Sequence, residues 1–193
     1  MQKKQTVTFC PASSKQWKQW LKDNHQTTQS VWLILYKQSS GKPVISWSDA
    51  VDEALCFGWI DSTRRPVDDE KFVQFFCKRK PAGTWSKINK EKVEKLIAAK
   101  RMTKAGLQSI ETAKQNGSWT ILDAVEALTI PKDLEKAFKT NKGSKKYFMG
   151  LSKSVKKMML QWLVLAKQPA TRQKRMTEIV TLAAKQTRPQ QFL

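Results

Sequence analysis

Every strand-like run in this chain lies within its first 80 residues, and from Trp85 onward the apolar spacing is helical. SVWLILYK, Ser30 to Lys37, carries Val31, Leu33 and Leu35 on one alternating face and Trp32, Ile34 and Tyr36 on the other. Apolar residues on both faces predict a strand covered on both sides. WIDSTRRPV and KFVQFFCKR flank Asp68-Asp69-Glu70, which predicts a β-hairpin at about 59–66 and 71–79. A small antiparallel sheet with helices in the N-terminal half, followed by a helical C-terminal region, is an α+β fold.

The helices announce themselves by their ends. Ser13 or Ser14 caps a first helix to Asn24, with Trp17, Trp20 and Leu21 on one face. Ser46-Trp47-Ser48-Asp49 has the spacing of a capping box. Its helix runs to about Phe57 with Trp47, Ala50, Val51, Ala54 and Leu55 inward, and Gly58 stops it. Ser86 and Thr103 cap two more, and Pro131 fits the first turn of another. Two last helices are expected at about 152–167 and 171–186. The organisation expected is an α+β region over 1–120 and a basic helical region over 121–193 packed on it.

Charge narrows the choice of partners. The chain has 36 Lys and Arg against 16 Asp and Glu, a net charge of +20. Residues 141–193 hold 12 of the bases and a single acid, Glu178, and so over half of the excess. That asymmetry points to a polyanion, either nucleic acid or an anionic envelope component. Three cysteines with no CxxC pair argue against a disulfide framework and for a reducing cytoplasm. The N-terminus lacks the apolar core of a signal peptide. The longest apolar-rich run, Met158 to Ala166, is too short to span a bilayer, so no integral membrane segment is expected.

Few catalytic chemistries survive inspection. Phosphate-loop, dinucleotide, metalloprotease, serine-hydrolase and calcium-loop motifs do not occur. The single histidine, His25, sits where it closes the first helix, and Asp68-Asp69-Glu70 is spaced as a solvated hairpin tip. No metal and no cofactor is therefore expected. In EALCFGWIDS, Glu53 to Ser62, Cys56 lies near a helix C-terminus, which disfavours a thiolate. Asp61 is an acid–base candidate or an ion-pair partner for Arg64 or Arg65. With Trp59, Arg64 and Trp85 it makes the one pocket hypothesis. The second site hypothesis is an anion site. Thr171 reads as a cap, with Arg172, Lys174 and Arg175 in the first turn after it, and Lys153, Lys156 and Lys157 form a basic face on the preceding helix.

Three segments together resemble a known family. EALCFGWIDS, WSKINKEKVEKLIAAKRMTKAGL at 85–107 and YFMGLSKSVKKMMLQWLVLAKQPATRQKRMTEIV at 147–180 are similar to the YdeI/OmpD-associated, or bacteriocin-protection, proteins of bacteria. The resemblance implies a part in tolerance of bacteriocins or envelope stress, and it brings no reaction, cofactor or catalytic residue.

The expectation is thus a non-catalytic, basic, cytoplasmic protein of that type that binds a polyanion. The alternative is a nucleic-acid-binding module gripping backbone phosphates through the tail and Lys78-Arg79-Lys80. The second alternative is an enzyme with an unrecognised site near Asp61. The balance leans against catalysis, because no nucleophile–base pair can be named.

Overall fold

The computed structural model describes residues 7–42 and 45–192. Residues 1–6, at the start of the basic N-terminal segment, lie outside the described residues. The chain divides into two compact units, Met1–Trp119 and Thr120–Leu193.

The first unit is built on a four-stranded sheet in the order β1-β2-β4-β3. These strands are β1 (Val7–Phe9), β2 (Ser30–Tyr36), β3 (Trp59–Pro66) and β4 (Lys71–Lys78). β2–β4 and β4–β3 are antiparallel, whereas β1 runs parallel to β2. The fold is α+β as expected, but the sheet is mixed. β1 is three residues of edge strand, too short to show a period of two.

The helices α1 (Ser14–Asn24), α2 (Trp47–Cys56), α3 (Lys87–Ala98) and α4 (Lys104–Gln115) complete this unit. Each starts at a hydroxyl cap, with Ser13, Ser46, Ser86 and Thr103 accepting from the backbone N–H three residues on. At α2 the Ser46 hydroxyl also donates to Asp49 Oδ2 at 2.7 Å. Trp17, Val31, Leu33, Ala50, Leu55 and Phe76 lie in one continuous core. The Trp17 indole N–H donates to the Ala50 carbonyl at 3.0 Å, joining α1 to α2 where no water can substitute.

Burial along β2 alternates. Val31, Leu33 and Leu35 are buried, whereas Trp32, Ile34 and Tyr36 are half-buried. The strand is therefore fully covered on one face only, which corrects the expectation of two. Trp47 is also not inward. It is 45% exposed and spends its indole N–H on Asp61.

Two glycines let α2 and α4 approach. Gly58 follows α2 at φ +73°, where a Cβ would stand 3.0 Å from the Ala105 carbonyl oxygen. At Gly106 a Cβ would stand 2.3 Å from the Cys56 carbonyl oxygen. That same oxygen accepts the Thr103 backbone N–H at 3.0 Å and the Thr103 hydroxyl at 2.7 Å. A carbonyl left orphan at the end of α2 is thereby satisfied by the cap of α4.

The second unit is helical: α5 (Asp123–Glu126), α6 (Lys132–Thr140), α7 (Ser144–Gly150), α8 (Lys153–Val164) and α9 (Pro169–Ala184). Its core gathers Leu134, Phe138, Phe148, Met159, Leu160, Leu163 and Ile179. The short α5 and α7 had no sequence signal. Helix α9 begins at Pro169 and not near Thr171, because proline suits the first helical position and Gln168 takes the cap without a side-chain bond. Among the described residues, no helix is long and apolar enough to cross a membrane.

Candidate functional site

The first unit contains a concavity of about 400 Å³ between the end of α1, the start of β3, the end of β4 and one face of α4. Phe57, Trp59, Pro81, Trp85 and Ala105 supply its apolar walls, and Gln108, Ser109 and Thr112 supply a polar strip from α4. His25, Lys78, Arg79 and Lys80 border it, and no carboxylate does among the described residues.

Local structure explains each position. Gly58 turns the chain sharply enough for Trp59 to start β3 with its side chain inward, fully buried. The Trp59 indole N–H reaches the His25 carbonyl at 3.4 Å. His25 is the C-cap of α1, as expected, and its Nδ1 donates to the Leu21 carbonyl at 2.9 Å, which leaves Nε2 as the ring's remaining polar atom. The Lys78 ammonium donates to the Gln26 carbonyl at 2.6 Å.

Arg79 is the unusual member. Its backbone N–H donates to Gly58 at 2.9 Å, which extends the β3–β4 pairing by one residue. Its guanidinium lies over the Trp85 ring and donates one bond, from Nη1 to the Thr84 carbonyl at 3.2 Å. Its Nε is buried and has no hydrogen-bond partner. Burial pulls the guanidinium down to about 10, against the opposing field of Asp61. A buried cation with neither a carboxylate nor a full set of acceptors is costly. The same strand end also borders a second hollow, lined by Ile60, Phe75 and Thr84 among others.

The expected pocket of Trp59, Asp61, Arg64 and Trp85 separates into two pairs. Trp59 and Trp85 share the concavity, whereas Asp61 and Arg64 do not reach it. A bulge between Asp61 and Arg64 keeps both on the Gln74 face of the hairpin. Asp61 accepts from the Trp47 indole at 2.8 Å and the Gln74 amide at 3.0 Å. Arg64 Nε donates to Gln74 Oε1 at 3.2 Å, and its guanidinium lies over the Phe72 ring. Gln74, itself 2% exposed, bridges the two, which makes this a structural network. Burial pushes the Cys56 thiol up to about 11, with the Glu53 carboxylate adding to the effect, so it is no nucleophile at neutral pH.

The expected anion cluster is not assembled either. With α9 starting at Pro169, Arg172 closes its first turn and Lys174 and Arg175 lie beyond it. Arg172 forks onto Asp133 at 2.7 and 3.1 Å and donates to the Leu163 carbonyl at 3.1 Å. Arg175 donates to the Trp162 carbonyl at 2.5 Å. Arg175 satisfies a carbonyl left orphan at the end of α8, and Arg172 adds a donor to one that the Ala166 N–H also reaches at 3.3 Å, where a cation suits the dipole. Lys156 bonds the Met149 carbonyl at 3.0 Å, and Lys157 pairs with Glu126 at 2.6 Å. Lys153 and Lys174 are exposed.

Residues 9–109 match the family model described as Domain of unknown function (DUF8412), and residues 127–186 match that described as Bacteriocin-protection, YdeI or OmpD-Associated. The chain belongs to the DUF8412 family, and its residues 127–186 are similar to the YdeI/OmpD-associated family. The concavity falls almost wholly within the DUF8412 match, with Thr112 just past its end. EALCFGWIDS and the segment 85–107 lie in that match too, and the segment 147–180 lies in the YdeI/OmpD-associated one. The latter match supports a role of the bacteriocin-protection type. No curated protein and no solved structure matches the chain.

Sequence reasoning singled out Lys78-Arg79-Lys80 only as a basic run. Three successive cations ending a strand before Pro81 were the available signal for the site. Gln108, Ser109 and Thr112 carried none, being polar residues on an amphipathic helix.

Proposed function

We propose that the chain is a non-catalytic cytoplasmic protein that contributes to tolerance of bacteriocins or envelope stress by binding an anionic partner. The observation that carries this reading is Arg79: a half-buried residue whose Nε is buried and unpartnered, flanked by Lys78 and Lys80, bordering a concavity that no carboxylate lines among the described residues. The charge of +20 adds long-range attraction for polyanions. The same charge repels cationic peptides, so protection works through an anionic target and not by capturing a cationic bacteriocin.

The test pairs a phenotype with a binding assay. A deletion strain should become more sensitive to bacteriocins or envelope stress, and Arg79→Gln should fail to restore tolerance. The purified protein should bind heparin or polyphosphate with an affinity that falls as salt rises. Unchanged sensitivity of the deletion strain, or no binding at low salt, sinks the reading.

A second reading, as a nucleic-acid-binding module, is favoured by the half-buried sheet face. There Trp32 and Phe75 pack at 5.0 Å and Arg65 lies 4.8 Å over the Trp32 ring. Aromatics and arginine on an open sheet suit stacking with unpaired bases. A gel-shift series on single-stranded oligonucleotides discriminates the two, because Trp32→Ala weakens binding only if the sheet face is used.

A further inference from the structure

The concavity in the first unit says more than that an anion binds. We propose that it is a small-molecule site for a ligand that joins one phosphate or carboxylate group to a flat apolar body, with Arg79 holding the anionic group. The inference rests on the anion-binding reading above and narrows it from a polymer to a compact ligand.

Size is the first support. About 400 Å³ suits a small organic molecule and is near the lower end of ordinary ligand pockets. The second is the division of the walls. Pro81 and Ala105 offer accessible apolar surface backed by the buried rings of Phe57, Trp59 and Trp85, while the cations enter from the end of β4. A polymer gripped only by its backbone needs an exposed basic track and has no use for such walls.

The third support is how Arg79 is held. Trp85 stacks on its guanidinium and Thr84 takes one Nη1 hydrogen, so the fork is fixed before any ligand arrives. A fixed guanidinium pairs with a carboxylate or phosphate through two parallel bonds at little further entropic cost. The buried Nε shows that the protein itself does not complete the donor set. On the facing strip, the Ser109 hydroxyl already donates to the Gly106 carbonyl at 2.8 Å, so its oxygen remains an acceptor. Gln108 is exposed and free to donate or accept.

Isothermal titration calorimetry of the full chain with phenyl phosphate, benzoate, inorganic phosphate and benzyl alcohol tests this. Phenyl phosphate or benzoate should bind saturably, and the stronger of the two identifies the anionic group. Inorganic phosphate should bind about tenfold more weakly, and benzyl alcohol not measurably. Arg79→Gln should weaken binding about tenfold or more through loss of the charged fork. Gln108→Glu, at an exposed position bordering this concavity and not the second hollow, should weaken it as well while leaving the melting temperature unchanged. No saturable binding of either aromatic anion up to about 10 mM, or equal affinity in Gln108→Glu, overturns the proposal. Heparin run in parallel separates the two levels. Binding of heparin alone defeats the small-ligand inference and spares the broader reading, and binding of neither defeats both.

Discussion

The guanidinium carbon of Arg79 sits 3.5 Å from the centre of the Trp85 ring. The stack returns about 0.5–2 kcal/mol to a desolvated cation. The depression of Arg79 to about 10 corresponds to a burial cost of roughly 3 kcal/mol. The cost wins, so Arg79→Met should raise the unfolding free energy by about 1 kcal/mol while abolishing anion binding. Urea denaturation alongside calorimetry checks both halves. A variant that is less stable and still binds would show that the residue serves the fold.

Gly106 offers a test of sign. In an open helix, replacing glycine by alanine adds about 1 kcal/mol of stability. Here the new methyl group meets the Cys56 carbonyl, so Gly106→Ala should instead destabilise by about 3 kcal/mol. The midpoint of chemical denaturation reports the direction without ambiguity.

The three cysteines should separate cleanly by reactivity. Cys10 is exposed, Cys77 is half-buried and Cys56 is buried. Burial raises both the Cys56 and Cys77 thiols, Cys56 to about 11. Iodoacetamide at about pH 7.5 should modify Cys10 in the folded protein, and Cys56 only after denaturation. Peptide mass mapping of the alkylated sites gives the order.

Acid should weaken the pair of Asp133 and Arg172. The guanidinium hydrogen-bonded to Asp133 holds its carboxyl below the usual carboxylate range. Its contribution is therefore complete above the unfolded value of about 4 and is lost as pH falls through the lower folded value. The Asp133 side chain is 42% exposed, so solvent screening limits the effect to roughly 0.5–1 kcal/mol. Asp133→Asn should be less stable than the parent at pH 7 by that amount, and the gap should close near pH 2. A gap that is constant with pH would assign the loss to packing.

Much of the scaffold could be read directly, because its signals are local. The Ser46 and Asp49 box, the Gly58 stop and the hairpin around Asp68 each depend on residues a few positions apart. The misreadings share a different cause. Trp32, Ile34 and Tyr36 are apolar, and nothing within β2 tells whether another layer covers them. In a regular strand Asp61 shares the face of Trp59 and Arg64 takes the other, until a bulge and the distant amide of Gln74 bring the two together. Arg172 and Arg175 look free until the carbonyls of α8 are in position to take them. The orphaned Nε of Arg79 has the same character, since it exists only once Trp85 and Thr84 are folded against it.

The Thr103 clasp has a consequence for how such proteins diversify. It fixes α4 through a carbonyl, a backbone N–H and one hydroxyl, with Gly106 excluding any other spacing. That attachment involves Ser109, whose Cβ lies close to Gly58 and whose hydroxyl bonds Gly106, but neither Gln108 nor Thr112 along the concavity. The helix is anchored at one end and open to variation along its exposed side. Gln108 and Thr112 are therefore positions where a side chain can change on an unaltered frame.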